Sequence, residues 1–353
     1  MRSRSLATVF ALGALVSCSS EVAHTPADAA LDGPREGGPG LEAGVPPDGG
    51  APPDGGVSPD ATAPQDAAAT DAAPTDGAPT DAGTTDVGPG PDAGTCTINF
   101  FASPSACGYP DETNTGVPAG VQLTASGPIR VDDDGTVIDG VDVTGDIDIY
   151  ARDVTVRNCR VTVSDAYWGI MIRDTGVTVT DCEINGSGSS GQGILDVGGG
   201  LVAAQRNNIY GFADGIMSEV GLLEANYVHD LEGGPGAHHD GIQNGGGGPQ
   251  IIRRNTVVNP HDETSAIALF QDFGAPAHDV TVEDNLLAGG GYTVYGGDGD
   301  LETSNLHFVG NRFGRVVWPN SGYWGPVAYW AAGEPGNVWS DNVWDDTNEP
   351  VVP

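Results

Sequence analysis

The 353-residue chain has no lysine: all 13 basic residues are arginine, against 49 aspartates and glutamates. That excludes a lysine base or Schiff-base amine anywhere in it. The formal charge of −36 argues against a nucleic-acid or anionic-membrane surface. From Thr97 onward 35 acidic residues stand against 10 arginines, a balance near −25, so a polyanionic ligand would need a cation to hold it. No apolar run reaches the roughly 18 residues of a membrane span. Aromatic residues make up 7% of the chain, and none falls between Glu21 and Gly94. No Gly-His-Gly motif occurs.

What is present falls into three parts. Arg2 and Arg4 precede an apolar run from Leu6 to Val16 and then small residues, the pattern of an export signal. Leu15, Val16, Ser17 and Cys18 resemble the lipobox of bacterial lipoproteins, which implies acylation at Cys18, a signal over 1–18 and an outer-membrane or cell-surface location. Residues 19–95 are near-repeats of Ala, Pro, Asp, Gly and Thr that cannot bury enough apolar area to fold, and are expected to form a disordered acidic tether. Residues 96–353 can build a full core. The only membrane contact expected is the N-terminal lipid, and the domain is expected to be monomeric.

Removing Cys18 leaves an even set of cysteines, Cys96, Cys107, Cys159 and Cys182, in an exported chain. Cys96 and Cys107 can close a small loop at the entry to the domain. A six-residue frame with one fixed central position recurs in "VRNCRV", "VTDCEI", "AQRNNI", "LEANYV", "IRRNTV", "VEDNLL", "FVGNRF" and "WSDNVW". The fixed position holds Cys159, Cys182, Asn207, Asn226, Asn255, Asn285, Asn311 and Asn342. Short Val/Ile-rich strands between Gly-rich turns, with spacings that vary about a constant frame, predict an all-β solenoid, a single-stranded right-handed parallel β-helix with an asparagine ladder. Cys159 and Cys182 then stack about 4.8 Å apart by strand spacing, compatible with a disulfide or with two free thiols.

A second column aligns Ile170, Ile194, Ile216, Ile242 and Ile267, predicted to face inward. Alternation places Met171, Leu195, Met217, Gln243 and Ala268 outward, with Arg173 and Glu219 further along. The column, the ladder and the loop lengths resemble right-handed β-helix proteins of the pectate lyase superfamily. "CGYPDETNTGVPAGVQLT" from Cys107, "TVIDGVDV" from Thr136, "HDGIQ" from His239 and "NVWDDTNEP" from Asn342 onward are similar to a group of exported bacterial β-helix proteins. The resemblance covers 96–353 and implies the fold more narrowly than the function, since the superfamily includes lyases, epimerases, hydrolases and proteins of no known chemistry.

The resemblance also implies a substrate along the outer face of one sheet, walled by the loops that enter it. Those loops carry His238, His239, His261 and Asp262, and His229 and His278 lie within the same fifty residues. Histidine titrates near neutrality and no lysine competes, so His238 and His239 are the candidate catalytic bases. Asp214 and Asp240 precede equivalent glycines and are expected to stack, where they can share a proton, hold calcium, or simply cap their turns. Gln243, Arg173, His261 and Asp262 are candidate substrate contacts. "NPHDETSAI" from Asn259 is similar to the Asp-Pro-His-Asp motif of mannuronan epimerases, with Asn259 in place of the first aspartate. The missing Gly-His-Gly and lysine disfavour a polygalacturonase-type hydrolase. Trp318, Tyr323, Trp324, Tyr329 and Trp330 can extend a glycan groove or, as the preferred expectation, close the end of the solenoid. The expected function is a polysaccharide lyase or C5-epimerase acting on uronates by histidine-based proton abstraction. The alternative is a non-catalytic glycan-binding or adhesin-like surface protein.

Overall fold

A computed structural model describes Cys96, residues 99–164 and residues 166–353. The expected signal peptide, Cys18 and the whole of the linker lie outside the described residues.

Every named strand pairs with its neighbours in parallel, and the chain winds as a parallel β-helix with three strands per full coil. The first column begins at Thr124–Ser126, the second at Ile129–Val131 and the third at Val137–Asp139. The third column is a separate nine-stranded sheet. The other two form one 17-stranded sheet, because Glu183–Asp196 and Asn208–Met217 cross the corner between them unbroken.

Alternation sets the core. In the second column Ile147, Ile170, Ile194, Ile216, Ile242, Ile267 and Val294 are register partners, all fully buried. Val143, Val161, Ile184, Ile209, Val228 and Val257 do the same in the first.

The corner leading back into the first column carries the ladder. Each asparagine from Asn207 to Asn311 receives on Oδ1 a backbone N–H from the preceding ladder residue, beginning with Cys182 N–H to Asn207 at 3.0 Å. Asn311 in turn donates its backbone N–H to Asn342 at 3.0 Å. Their Nδ2 groups donate to carbonyls of the adjacent coil, as from Asn255 to Leu223 at 2.9 Å. The residue before each asparagine is left-handed, with φ of 53° at Arg206, 54° at Ala225 and 52° at Arg254. That conformation is costly for a side-chain-bearing residue, roughly 1–2 kcal/mol, and the ladder bonds offset it. Cys159 and Cys182 occupy the bottom of the ladder as two free buried thiols, so of the two arrangements the sequence allowed, the disulfide does not form.

Residues 99–121 form an arm over the outside of the first column. Phe100 packs with Tyr109 and Leu286 and lies under the Arg312 guanidinium, 4.1 Å from its ring centre. Further along, Gly116 N–H donates to Arg206 O at 2.9 Å. Arg312 also pairs with Asp345 at 3.0 Å in a buried bridge, which ties the arm to the C-terminal segment. Cys96 and Cys107 are joined by a disulfide with Cα atoms 5.4 Å apart. Replacing both by serine is expected to remove about 3 kcal/mol of loop constraint. Hydrogen exchange should then show amides of 99–121 losing protection while the ladder amides keep theirs; uniform loss across the coils would contradict a separately anchored arm.

Candidate functional site

The corner between the first and second columns positions the candidate residues. Gly169, Gly193, Gly215 and Gly241 sit there on successive coils. A Cβ on each would come within 2.4–2.8 Å of a backbone oxygen of the next coil, so no other residue fits. The residues before these glycines stack as well: Gln192 pairs in register with Asp214, and Asp240 with Ser265.

Asp214 Oδ1 accepts the Asp240 backbone N–H at 3.0 Å, and its Oδ2 accepts Gln192 Nε2 at 2.9 Å. Asp240, 3% exposed, accepts Ser265 Oγ at 2.7 Å. Burial pushes both carboxyls above the ordinary 3.8, and at Asp240 the charge of Asp214 pushes the same way.

The pair does not fit calcium. That ion wants six to eight oxygen ligands, whereas both Asp214 oxygens are committed to N–H donors and Asp240 is sealed. Among the described residues no group of three or more His, Cys, Asp or Glu side chains converges as a cation site.

Replacing Asp240 by asparagine preserves an acceptor for Ser265 and removes a buried charge. A carboxyl raised by folding contributes stability below pH 3.8 that is lost as pH rises through its folded value. The variant is therefore expected to melt higher near neutral pH, by roughly 2–4 °C for each kcal/mol recovered. The difference should close in acid, and a lower melting temperature at neutral pH would contradict it.

His239 is the histidine the fold places. Its Nδ1 lies 2.6 Å from Glu263 Oε1, and its ring stacks on His261 at 3.5 Å between centres. His261 Nε2 donates to Leu231 O at 2.7 Å, and Trp318 Nε1 donates to His261 O at 3.1 Å. Asn259 fixes the turn: its Nδ2 donates to the His239 and Ser265 carbonyls and its Oδ1 accepts His261 N–H. An aspartate could not donate to those carbonyls, which explains why the epimerase-like motif begins with asparagine here.

His239 Nε2, on the far side of the ring from the Nδ1 bonded to Glu263, is buried and has no partner among the described residues. Gly233 covers it, and a Cβ there would stand 3.2 Å from Nε2. The covering loop is held by Glu232 N–H to Phe212 O at 2.7 Å and Gly234 N–H to Ser190 Oγ at 2.7 Å.

Other expected residues lie elsewhere. His238 and Asp262 are exposed. His229 is stacked on Tyr227 and Tyr210 and bonded to Asp230 and Asn208 outside the first column. Gln243 does face outward in the second column and donates to Asp272 at 3.2 Å. Arg173 lies three coils below Gln243, about 14 Å by strand spacing, and is paired with Asp148 at 2.7 Å. Each of the ten arginines among the described residues pairs with at least one carboxylate.

The aromatic cluster divides. Trp330 packs against Phe308 and Trp339 and closes the end of the core. Tyr323 and Trp324 stay exposed, 43% and 66%, beside Trp318 at the His261 turn. Tyr329 stacks on Tyr295, which follows Ala268 in the outward row. The Tyr295 phenol is pushed up to about 12 by burial and then by the charge of Asp240. Glu263 escaped the sequence reading because it follows the four residues of the epimerase-like motif in "NPHDETSAI", and Tyr295 because it carries no motif. Register along the outward row is the signal that could have found Tyr295. The chain matches no protein-family model, no curated protein and no solved structure.

Proposed function

We propose that the outer face of the second column binds a glycan chain and that His239, oriented by Glu263, takes a proton from it. The observation carrying this is the buried, unpartnered Nε2 of a carboxylate-bound imidazole, beside exposed Tyr323 and Trp324. A histidine held through Nδ1 is set up as a general base at Nε2, and exposed aromatic faces suit sugar rings. The resemblance to the pectate lyase superfamily gives this chemistry its uronate form, β-elimination or C5 epimerisation.

That form also needs positive charge against the uronate carboxylate. The paired arginines and the unfit aspartate pair do not supply it. Non-catalytic glycan binding is the second reading, favoured by Gly233 lying over Nε2.

Uronate polysaccharides incubated with the wild type and with His239→Asn separate them. An unsaturated product seen by ultraviolet absorbance, or C5 proton exchange in deuterated water, that the variant abolishes supports the base. Glycan binding without either reaction favours the second reading.

A further inference from the structure

The outward row of the first column borders a second concavity, lined in part by the residues that lead into the loop over His239. Asn185, Tyr210 and His229 are register partners in that row on three successive coils. Gly211 follows Tyr210 with φ of 71°, and a Cβ on it would stand 3.0 Å from Asn185 Oδ1 and 3.1 Å from Ser187 N. Only glycine keeps that floor open. The segment from Asp230 to Glu232 and the exposed Pro260 wall the space, a cleft of about 370 Å³. That lies within the roughly 300–1,000 Å³ of small-ligand clefts.

Its polar groups are of both kinds, and they can be reached. Glu232 is exposed and is held through its backbone, by N–H to Phe212 O at 2.7 Å. Its carboxylate reaches toward the turn at Ser187 and Gly188, where a Cβ on Gly188 would be 3.9 Å from Oε2. Asp230 Oδ2 lies 2.8 Å from His229 Nδ1, which leaves Oδ1 as an acceptor on an exposed residue. Asn185 Oδ1 accepts Ser187 N–H at 2.9 Å, which leaves Nδ2 as a donor, and Ser187 adds an exposed hydroxyl.

Acceptors on one wall and donors on the other suit a ligand whose own groups both give and receive hydrogen bonds. Sugar hydroxyls do both. A uronate would meet Asp230 and Glu232 without a free cation to offset them, because Arg160, on the same face, is held by Glu183 at 2.9 Å and Asp142 at 3.5 Å. A bare metal ion would lack ligands, since no third His, Cys, Asp or Glu among the described residues converges with the two carboxylates.

We propose that this cleft is a second carbohydrate site that takes one neutral sugar residue. Sugar hydroxyls donate to Glu232 and Asp230 and accept from Asn185 and Ser187. The site is separate from the second-column groove and does not depend on it. The two share a wall: Leu231, which lines the cleft, accepts His261 Nε2 on its carbonyl at 2.7 Å, and Gly233 covers His239.

Titrating the full chain with the methyl glycosides of glucose, galactose and mannose, and with glucuronate, tests this by ligand-observed NMR. At least one neutral glycoside is expected to bind more tightly than glucuronate and to protect amides of 185–188 and 210–211 from hydrogen exchange. Glu232→Ala, a change at an exposed side chain, should leave the fold intact and weaken that binding on the order of tenfold, the loss of a charge-assisted hydrogen bond. Trp324→Ala should leave it unchanged. The reverse pattern, binding lost with Trp324 and kept without Glu232, would put the sugar in the second-column groove and overturn the second site. Failure of all three glycosides to bind, tighter binding of glucuronate, or displacement of a bound glycoside by calcium would overturn it as well.

Discussion

Replacing Asn255 by alanine is expected to destabilise the solenoid by about 4 kcal/mol, the largest single effect anticipated outside the hydrophobic core. Asn255 is fully buried and sits mid-ladder. Its Oδ1 accepts both the backbone N–H and the Nδ2 of Asn226, at 2.9 and 3.0 Å. Its Nδ2 donates to Leu223 O and to Asn285 Oδ1. Alanine would strand donors on Asn226 and the Leu223 carbonyl in a dry corner, each costing about 1–3 kcal/mol. It would also leave Arg254 left-handed without the bonds that offset it. Asn342→Ala, at the last ladder position, should cost less, because its Nδ2 donates to Phe308 O at 2.8 Å but to no further ladder asparagine. Chemical denaturation of the two variants measures the gap. Equal, small losses would mean that the ladder does not hold the coils together.

Replacing His239 by asparagine is expected to lower turnover by about 10²–10⁴-fold, the range of a lost general base, with little change in glycan affinity. Asparagine can still hydrogen-bond to Glu263 but has no group that gains and loses a proton near neutrality. Glu263→Gln keeps the imidazole's partner and removes its charge, so it tests positioning: kcat should fall while KM holds. A structural role for His239 would instead show as lost stability with kcat unchanged per folded molecule.

The ladder was legible because its asparagines recur in a frame whose chemistry has one solution: a buried amide bonding along the axis. The isoleucine column followed from strand alternation. The candidate site was legible only in part. "HHD" lies at the corner between the first and second columns, but a two-residue step separates an exposed His238 from a buried Asp240, and only the turn geometry fixed by Asn259 and Thr264 decides which histidine is buried there. Arg173 looks like a substrate contact by position, yet Asp148, register partner of its neighbour-but-one Met171, takes its charge. The aromatic cluster could not be divided from sequence, because Trp330 and Tyr329 are adjacent and face opposite sides of one coil.

Hydrogen exchange with and without a saturating oligosaccharide tests the central proposal, that a glycan binds the outer face of the second column beside His239. Protection is predicted at 231–239, at 261–265 and at 322–324, the segments that wall the corner. Protection confined to the third column, or none with a glycan demonstrably bound, would contradict it.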